Sequence, residues 1–193
     1  MKILDTYVKL KSSDKQIFTI QDIRNLIDIN DNHYLLILIN RMLKKGILVS
    51  IKRGIYYIKD NAPSNFSIAN NLYSPSYISL DTALVYYGIV NQSPFTITSI
   101  STKKARTFIF NNIEYKYNKI KISLFYTGNE NINFNIASKE KAIIDSIYFA
   151  ALRGNNLNFD EWNLSEIDVD ELKKIASTIN SKPFNRLFNS IIK

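Results

Sequence analysis

Between Asn32 and Lys45 the chain spaces Leu35, Leu38, Ile39 and Met42 three and four residues apart, then closes the run with Lys44-Lys45-Gly46. At about 100° per residue those four side chains fall on one side of a helix, while His33, Ile37, Asn40, Arg41 and Lys44 fall on the other. Gly46 supplies the left-handed residue on which helices end, and the two lysines suit the negative end of the helix dipole. A segment of this kind is a surface helix with one face in a core, so the residues around it must build a small module to cover that face.

They do so in a recognisable order. Ile3, Leu4, Tyr7, Val8 and Lys11 predict a first helix that ends at Ser12-Ser13-Asp14. Thr19 predicts the cap of a short second helix with Ile23, Leu26 and Ile27 turned inward and Asp22 in the first turn, and Asp28-Ile29-Asn30-Asp31 is a turn by composition. After Gly46, residues 47–51 and 55–58 read as strands around Lys52-Arg53-Gly54, a hairpin with a basic tip. Three helices and a hairpin within residues 1–60 match a winged helix-turn-helix, whose third helix enters the major groove. The candidate DNA contacts are His33, Asn40, Arg41 and Lys44 for base edges or phosphates, Ile37 for a thymine methyl, Tyr34 and Lys45 beside them, and Lys52 and Arg53 at the wing.

Charge agrees with an anionic partner. The 193 residues carry a formal net charge of +8, and the excess leans toward the N-terminus, where residues 1–60 hold eleven Lys/Arg against six Asp/Glu. Clustered cations gain affinity for phosphate by releasing its counterions. A second basic group comprises Lys103, Lys104, Arg106, Lys116, Lys119 and Lys121, opposed by Glu114, whereas acidic residues gather from Asp160 to Glu171. No cysteine and a single histidine remove disulfides, thiolate chemistry and multi-histidine metal sites, so no catalytic group, metal or cofactor is expected. Apolar runs are short, and Met1–Lys11 mixes charge into its apolar residues, which predicts a cytoplasmic protein without a membrane partner.

Residues 59–66 carry Asp, Asn, Ala, Pro and Ser without periodicity and are expected to link the first module to a larger domain over 67–193. There Ser79 is expected to cap a helix through Leu80, Ala83, Leu84 and Tyr87. Strands are expected over 95–100, 106–110, 113–117 and from Ile120 to Tyr126, with Asn111-Asn112 as a tight turn. Ser138 begins a long helix, and two more follow around Leu172–Ile179 and Phe184–Ile192. The expected fold is α+β: an N-terminal winged helix-turn-helix followed by a larger α+β domain with a mainly antiparallel sheet flanked by helices.

Several of these segments resemble one family. Phe18-Thr19, Leu43-Lys44-Lys45-Gly46-Ile47-Leu48 and Lys52-Arg53-Gly54-Ile55-Tyr56 look like the winged-helix module of the AbiEi-type antitoxins of bacterial abortive-infection systems. Tyr77-Ile78-Ser79 with Ala83-Leu84 resembles that family's Tyr-Ile-Ser-x-x-x-Ala-Leu segment, and Glu140-Lys141-Ala142 with Asp145 its Glu-Lys-Ala-x-x-Asp helix. The resemblance spans residues 15–150. It implies a type IV antitoxin whose N-terminal domain represses its own operon at inverted repeats of double-stranded DNA. It also implies a C-terminal domain that counters a nucleotidyltransferase-like toxin without a stable complex. On that implication Lys103, Lys104, Arg106, Lys116, Lys139, Glu140 and Lys141 are the candidate antitoxin surface.

Two other readings compete. A winged helix can bind protein, so the basic surface can instead meet an acidic partner or the toxin itself. Glu114-Tyr115-Lys116 has the Glu-x-Lys spacing of metal-dependent nucleases, where a carboxylate holds Mg²⁺ and a lysine stabilises developing charge. Three residues match by chance too often to outweigh the ordered helices and hairpin.

Overall fold

Thr19 ends a short strand and starts a helix. Its hydroxyl accepts a hydrogen bond from the Asp22 amide at 3.1 Å, while Asp22 Oδ2 accepts from the Thr19 amide at 2.8 Å, so two otherwise orphaned groups of the first turn are satisfied reciprocally. The computed structural model of the chain describes residues 3–91, 95–125, 129–131, 133–155 and 157–191. It divides into two units, the first ending at Leu72 and the second beginning at Tyr73.

The first unit contains α1 (Ile3–Lys11), β1 (Ile17–Thr19), α2 (Ile20–Ile27), α3 (Asn32–Lys44), β2 (Leu48–Lys52), β3 (Ile55–Ile58) and α4 (Asn65–Leu72). Strand β1 is an addition to the expected set, because three residues are too few to declare a period. It pairs antiparallel with β3, Phe18 facing Tyr56, and gives a three-stranded sheet in the order β1-β3-β2. That pairing carries Phe18 into a core with Leu10, Ile23, Leu35, Ile39, Met42 and Leu48. Each such side chain contributes about 1.5–3 kcal/mol by leaving water.

The expected linker at 59–66 is instead anchored. Tyr7 donates to Asp60 Oδ2 at 2.6 Å and Lys11 Nζ to the same oxygen at 2.9 Å, tying α1 to the end of β3. Pro63 is buried, and α4 begins at Asn65 and lies near β1 and β2, with Ile68 and Leu72 buried. The division after Leu72 therefore falls later than composition suggested. Polar, Pro-bearing sequence predicts an irregular path, but it does not reveal whether that path is packed.

The second unit contains β4 (Ser76–Ile78), α5 (Asp81–Tyr86), β5 (Thr96–Ser101), β6 (Arg106–Phe110), β7 (Ile113–Lys119), β8 (Asn129–Asn131), β9 (Phe134–Ile136), α6 (Lys139–Arg153), α7 (Val169–Ser177) and α8 (Lys182–Ile191). Its six strands run in the order β6-β7-β5-β4-β9-β8. Asn111 and Asn112, both with positive φ, make the two-residue turn between β6 and β7. The sheet is mixed, since β5 pairs parallel with β7 and β4 parallel with β9 between antiparallel neighbours. Hairpins between consecutive strands would not have produced this, and the cause is that β6 folds outward so that β7 lies beside β5.

Two expectations fail here. Ser79 does not cap α5: Leu80 precedes the helix with φ 59°, and the Ser79 hydroxyl donates to Asp145 Oδ2 at 2.9 Å. The segment from Ile120 continues as a single 3₁₀ turn, Ile122–Leu124, rather than a strand. Tyr126 and Ile192, the last residues of two expected elements, lie outside the described residues. Ser138 caps α6 as expected, accepting from the Lys141 amide at 3.1 Å, and α5, α7 and α8 pack on that helix.

Candidate nucleic-acid interface

Helix α3 is fixed at both ends by its own sequence. Asp31 Oδ1 accepts from the His33 and Tyr34 amides at 2.8 and 3.1 Å, capping the start. At the far end the Lys45 amide bonds the Arg41 carbonyl at 3.1 Å, the Gly46 amide the Leu43 carbonyl at 2.9 Å and the Ile47 amide the Met42 carbonyl at 3.0 Å, with Gly46 at φ 67°. Leu35, Leu38, Ile39 and Met42 are buried. His33, Asn40, Arg41, Lys44 and Lys45 are exposed and Ile37 half-buried, so the outward face is largely polar and cationic; half-buried Tyr34, expected beside them, instead packs against the core. Arg24 of α2 reaches across to the Asn32 side chain, tying the two helices together at the start of α3.

Sequence reasoning passed over one residue of this face. Leu36 is 46 % exposed and stands on the same side as His33 and Asn40. The unbroken apolar run from Tyr34 to Ile39 hides it, because only the phase of the helix tells its outward members from its inward ones.

The hairpin contributes less than expected. Its two-residue turn is Arg53-Gly54, and Gly54, at φ 83°, accepts from the Ile20 amide at 3.2 Å, so the tip rests on the start of α2. Lys52 is half-buried and its ammonium donates to the Leu72 carbonyl at the end of α4. Its place at the wing tip is therefore corrected: a β-bulge between Ser50 and Lys52 accompanies this course, and the lysine satisfies a helix-terminal carbonyl. Arg53 is exposed at the turn.

The candidates in the second unit do not form one surface. Lys103 donates to the Ser74 carbonyl and lies 5.5 Å over the Tyr73 ring, and Tyr73 donates to the Lys104 carbonyl at 3.0 Å. Arg106 covers Phe108 at 4.9 Å, and Phe108 in turn meets Tyr73 at 5.7 Å, so the Lys103 and Arg106 cations share one aromatic base, to which Lys104 is joined through its carbonyl. Lys116 is exposed on β7, in register with Thr98 and Thr107. Half-buried Lys139 pairs with Glu166 at 2.7 Å, and Glu140 accepts from the Asp168 amide at 3.3 Å at the start of α7.

Lys141 is not a surface residue at all. It is 5 % exposed and ion-paired with Asp145, one helical turn along α6. Asp145 also accepts from Tyr77 at 3.0 Å and Ser79 at 2.9 Å, so the two segments of the second unit that carry the family resemblance meet in one buried polar cluster. Burial pushes the Asp145 carboxyl up, against the pull of Lys141 and the two hydroxyls. Tyr77, Ser79, Lys141 and Asp145 are all buried, so the cluster is enclosed by the second unit's own packing.

Glu114 and Lys116 share one exposed face of β7, and Glu114 accepts from the Thr96 hydroxyl at 2.8 Å. Among the described residues no three His, Asp or Glu side chains come together as metal ligands. Nor is any described helix long and apolar enough to cross a membrane. A scan against protein-family models and a comparison with curated proteins each find no match.

Proposed function

We propose that the chain is a DNA-binding autorepressor and antitoxin of an abortive-infection toxin–antitoxin operon, its first unit a winged helix-turn-helix and its second the part that counters a nucleotidyltransferase-like toxin in the cytoplasm. The observation that carries the DNA-binding half is the outward face of α3, which is free of core packing, holds Asn40 and His33 at its middle and start, and ends in Arg41, Lys44 and Lys45. An order of α1-β1-α2-α3-β2-β3 with the sheet order β1-β3-β2 supports the winged-helix assignment. The net excess of five cations in residues 1–60 is unchanged by the uncharged stretch up to Leu72, which gives the whole unit the sign phosphate requires. The antitoxin half rests on the resemblance of the Tyr77-Ile78-Ser79 and Glu140–Asp145 segments.

The test is binding of the purified chain to the DNA upstream of its own gene across a salt series. Affinity should fall steeply with salt, and Arg41→Ala or Arg53→Ala should weaken it and lower the log–log slope by about 1 for each phosphate no longer neutralised. Affinity indifferent to salt and to both substitutions would refute the assignment. The antitoxin half is tested by co-expression with the neighbouring gene's product: rescue of growth arrest supports it, and continued arrest refutes it.

A further inference from the structure

Resting on that DNA-binding reading, we infer that α3 selects adenine–thymine pairs: Leu36 and Ile37 meet thymine methyl groups, and Asn40 between them meets adenine. Leu36 and Ile37 precede Asn40 by four and three residues, so one turn of helix brings both branched apolar side chains beside its carboxamide. A lone exposed leucine signifies nothing. Here Leu36 is 46 % exposed and Ile37 half-buried, and the two flank an exposed amide in the middle of a face that carries no acidic residue from Asn32 to Lys45.

The major groove offers that trio a matching set of groups. An adenine presents an N7 acceptor and an N6 donor, which one asparagine carboxamide meets with two hydrogen bonds, and its thymine presents the C5 methyl, an apolar group that a guanine–cytosine pair lacks. The remaining cations do different work. Arg41, Lys44 and Lys45 occupy the last turn and the cap, and as cations they serve phosphate oxygens, contacts that position the helix without reading sequence. Side-chain chemistry thus separates the residues that select from those that attract.

Removing the methyl groups alone tests this. The fragment upstream of the gene is amplified with thymine or with uracil, which differs only at C5, and the full chain is titrated with each. The uracil duplex should bind more weakly by about fourfold for each methyl group that the helix covers, the value of one buried carbon. Leu36→Ala and Ile37→Ala should each shrink that difference, whereas Asn40→Ala should weaken both duplexes alike; thermal melting confirms that each variant is folded. Equal affinity for the two duplexes with steep salt dependence retained overturns this inference and leaves the DNA-binding reading standing. A difference that persists undiminished in both alanine variants overturns the assignment to Leu36 and Ile37, and failure of both duplexes to bind overturns both readings.

Discussion

At the scale of single residues, Asp145 shows how context overrides composition. Lys-Glu-Lys at a helix start ordinarily reads as solvated, yet Lys141 runs inward to Asp145, and Tyr77 and Ser79 of another segment complete the carboxylate's hydrogen bonds. Nothing in a local window marks that burial, because the partners are more than sixty residues away. The Thr19 cap and the Gly46 stop are the opposite case, since each acts on neighbours within a few residues and is readable from type alone. Removing one member of a buried ion pair strands the other, so Asp145→Ala should cost about 3–5 kcal/mol. Replacing both, as Lys141→Met with Asp145→Leu, should recover part of that loss, since no charge is stranded but the Tyr77 and Ser79 hydroxyls lose their acceptor. Urea unfolding checks it: a double variant no more stable than Asp145→Ala would show that the pair is not what the site depends on.

At the scale of elements, strong period was legible and weak or long-range structure was not. The phase of α3 can be read from four apolar positions, whereas β1 has three residues and its existence depends on β3, nearly forty residues on. Parallel pairing of β5 with β7 is likewise decided by where β6 goes, which alternation cannot say. The elements of the first unit are also held by carboxylates with a definite pH response. Burial alone would raise Asp22, but hydrogen bonds from Lys15 and Thr19 prevail and hold it below the usual carboxylate range; the hydrogen bonds from Tyr7 and Lys11 do the same for Asp60. A folded pKa below the unfolded one gives stability that is full above about 4 and is lost as the pH falls through the lower folded value. Acidification from about pH 6 to about pH 3 should therefore lower the Tm of the wild type more than that of an Asp22→Asn, Asp60→Asn variant. Parallel Tm curves would refute the linkage.

At the scale of the whole molecule, the division after Leu72 makes a prediction about where the chain can be cut. A fragment ending at Leu72 keeps the Asp60 anchor, the Leu72 carbonyl that Lys52 holds, and the approach of α4 to β1 and β2. One ending at Lys59 loses all three. Urea melts should find the longer fragment the more stable, and equal midpoints would return the boundary to the Pro-bearing stretch. Helix α6, finally, is buried along ten consecutive residues, Lys141 to Ala150, whereas α3 keeps one side open throughout. In a random-mutant screen for loss of the proposed repression, inactive clones altered in that stretch of α6 should therefore contain little protein. Those altered at His33, Asn40 or Arg41 should contain ordinary amounts, so an immunoblot would sort failures of abundance from failures of recognition.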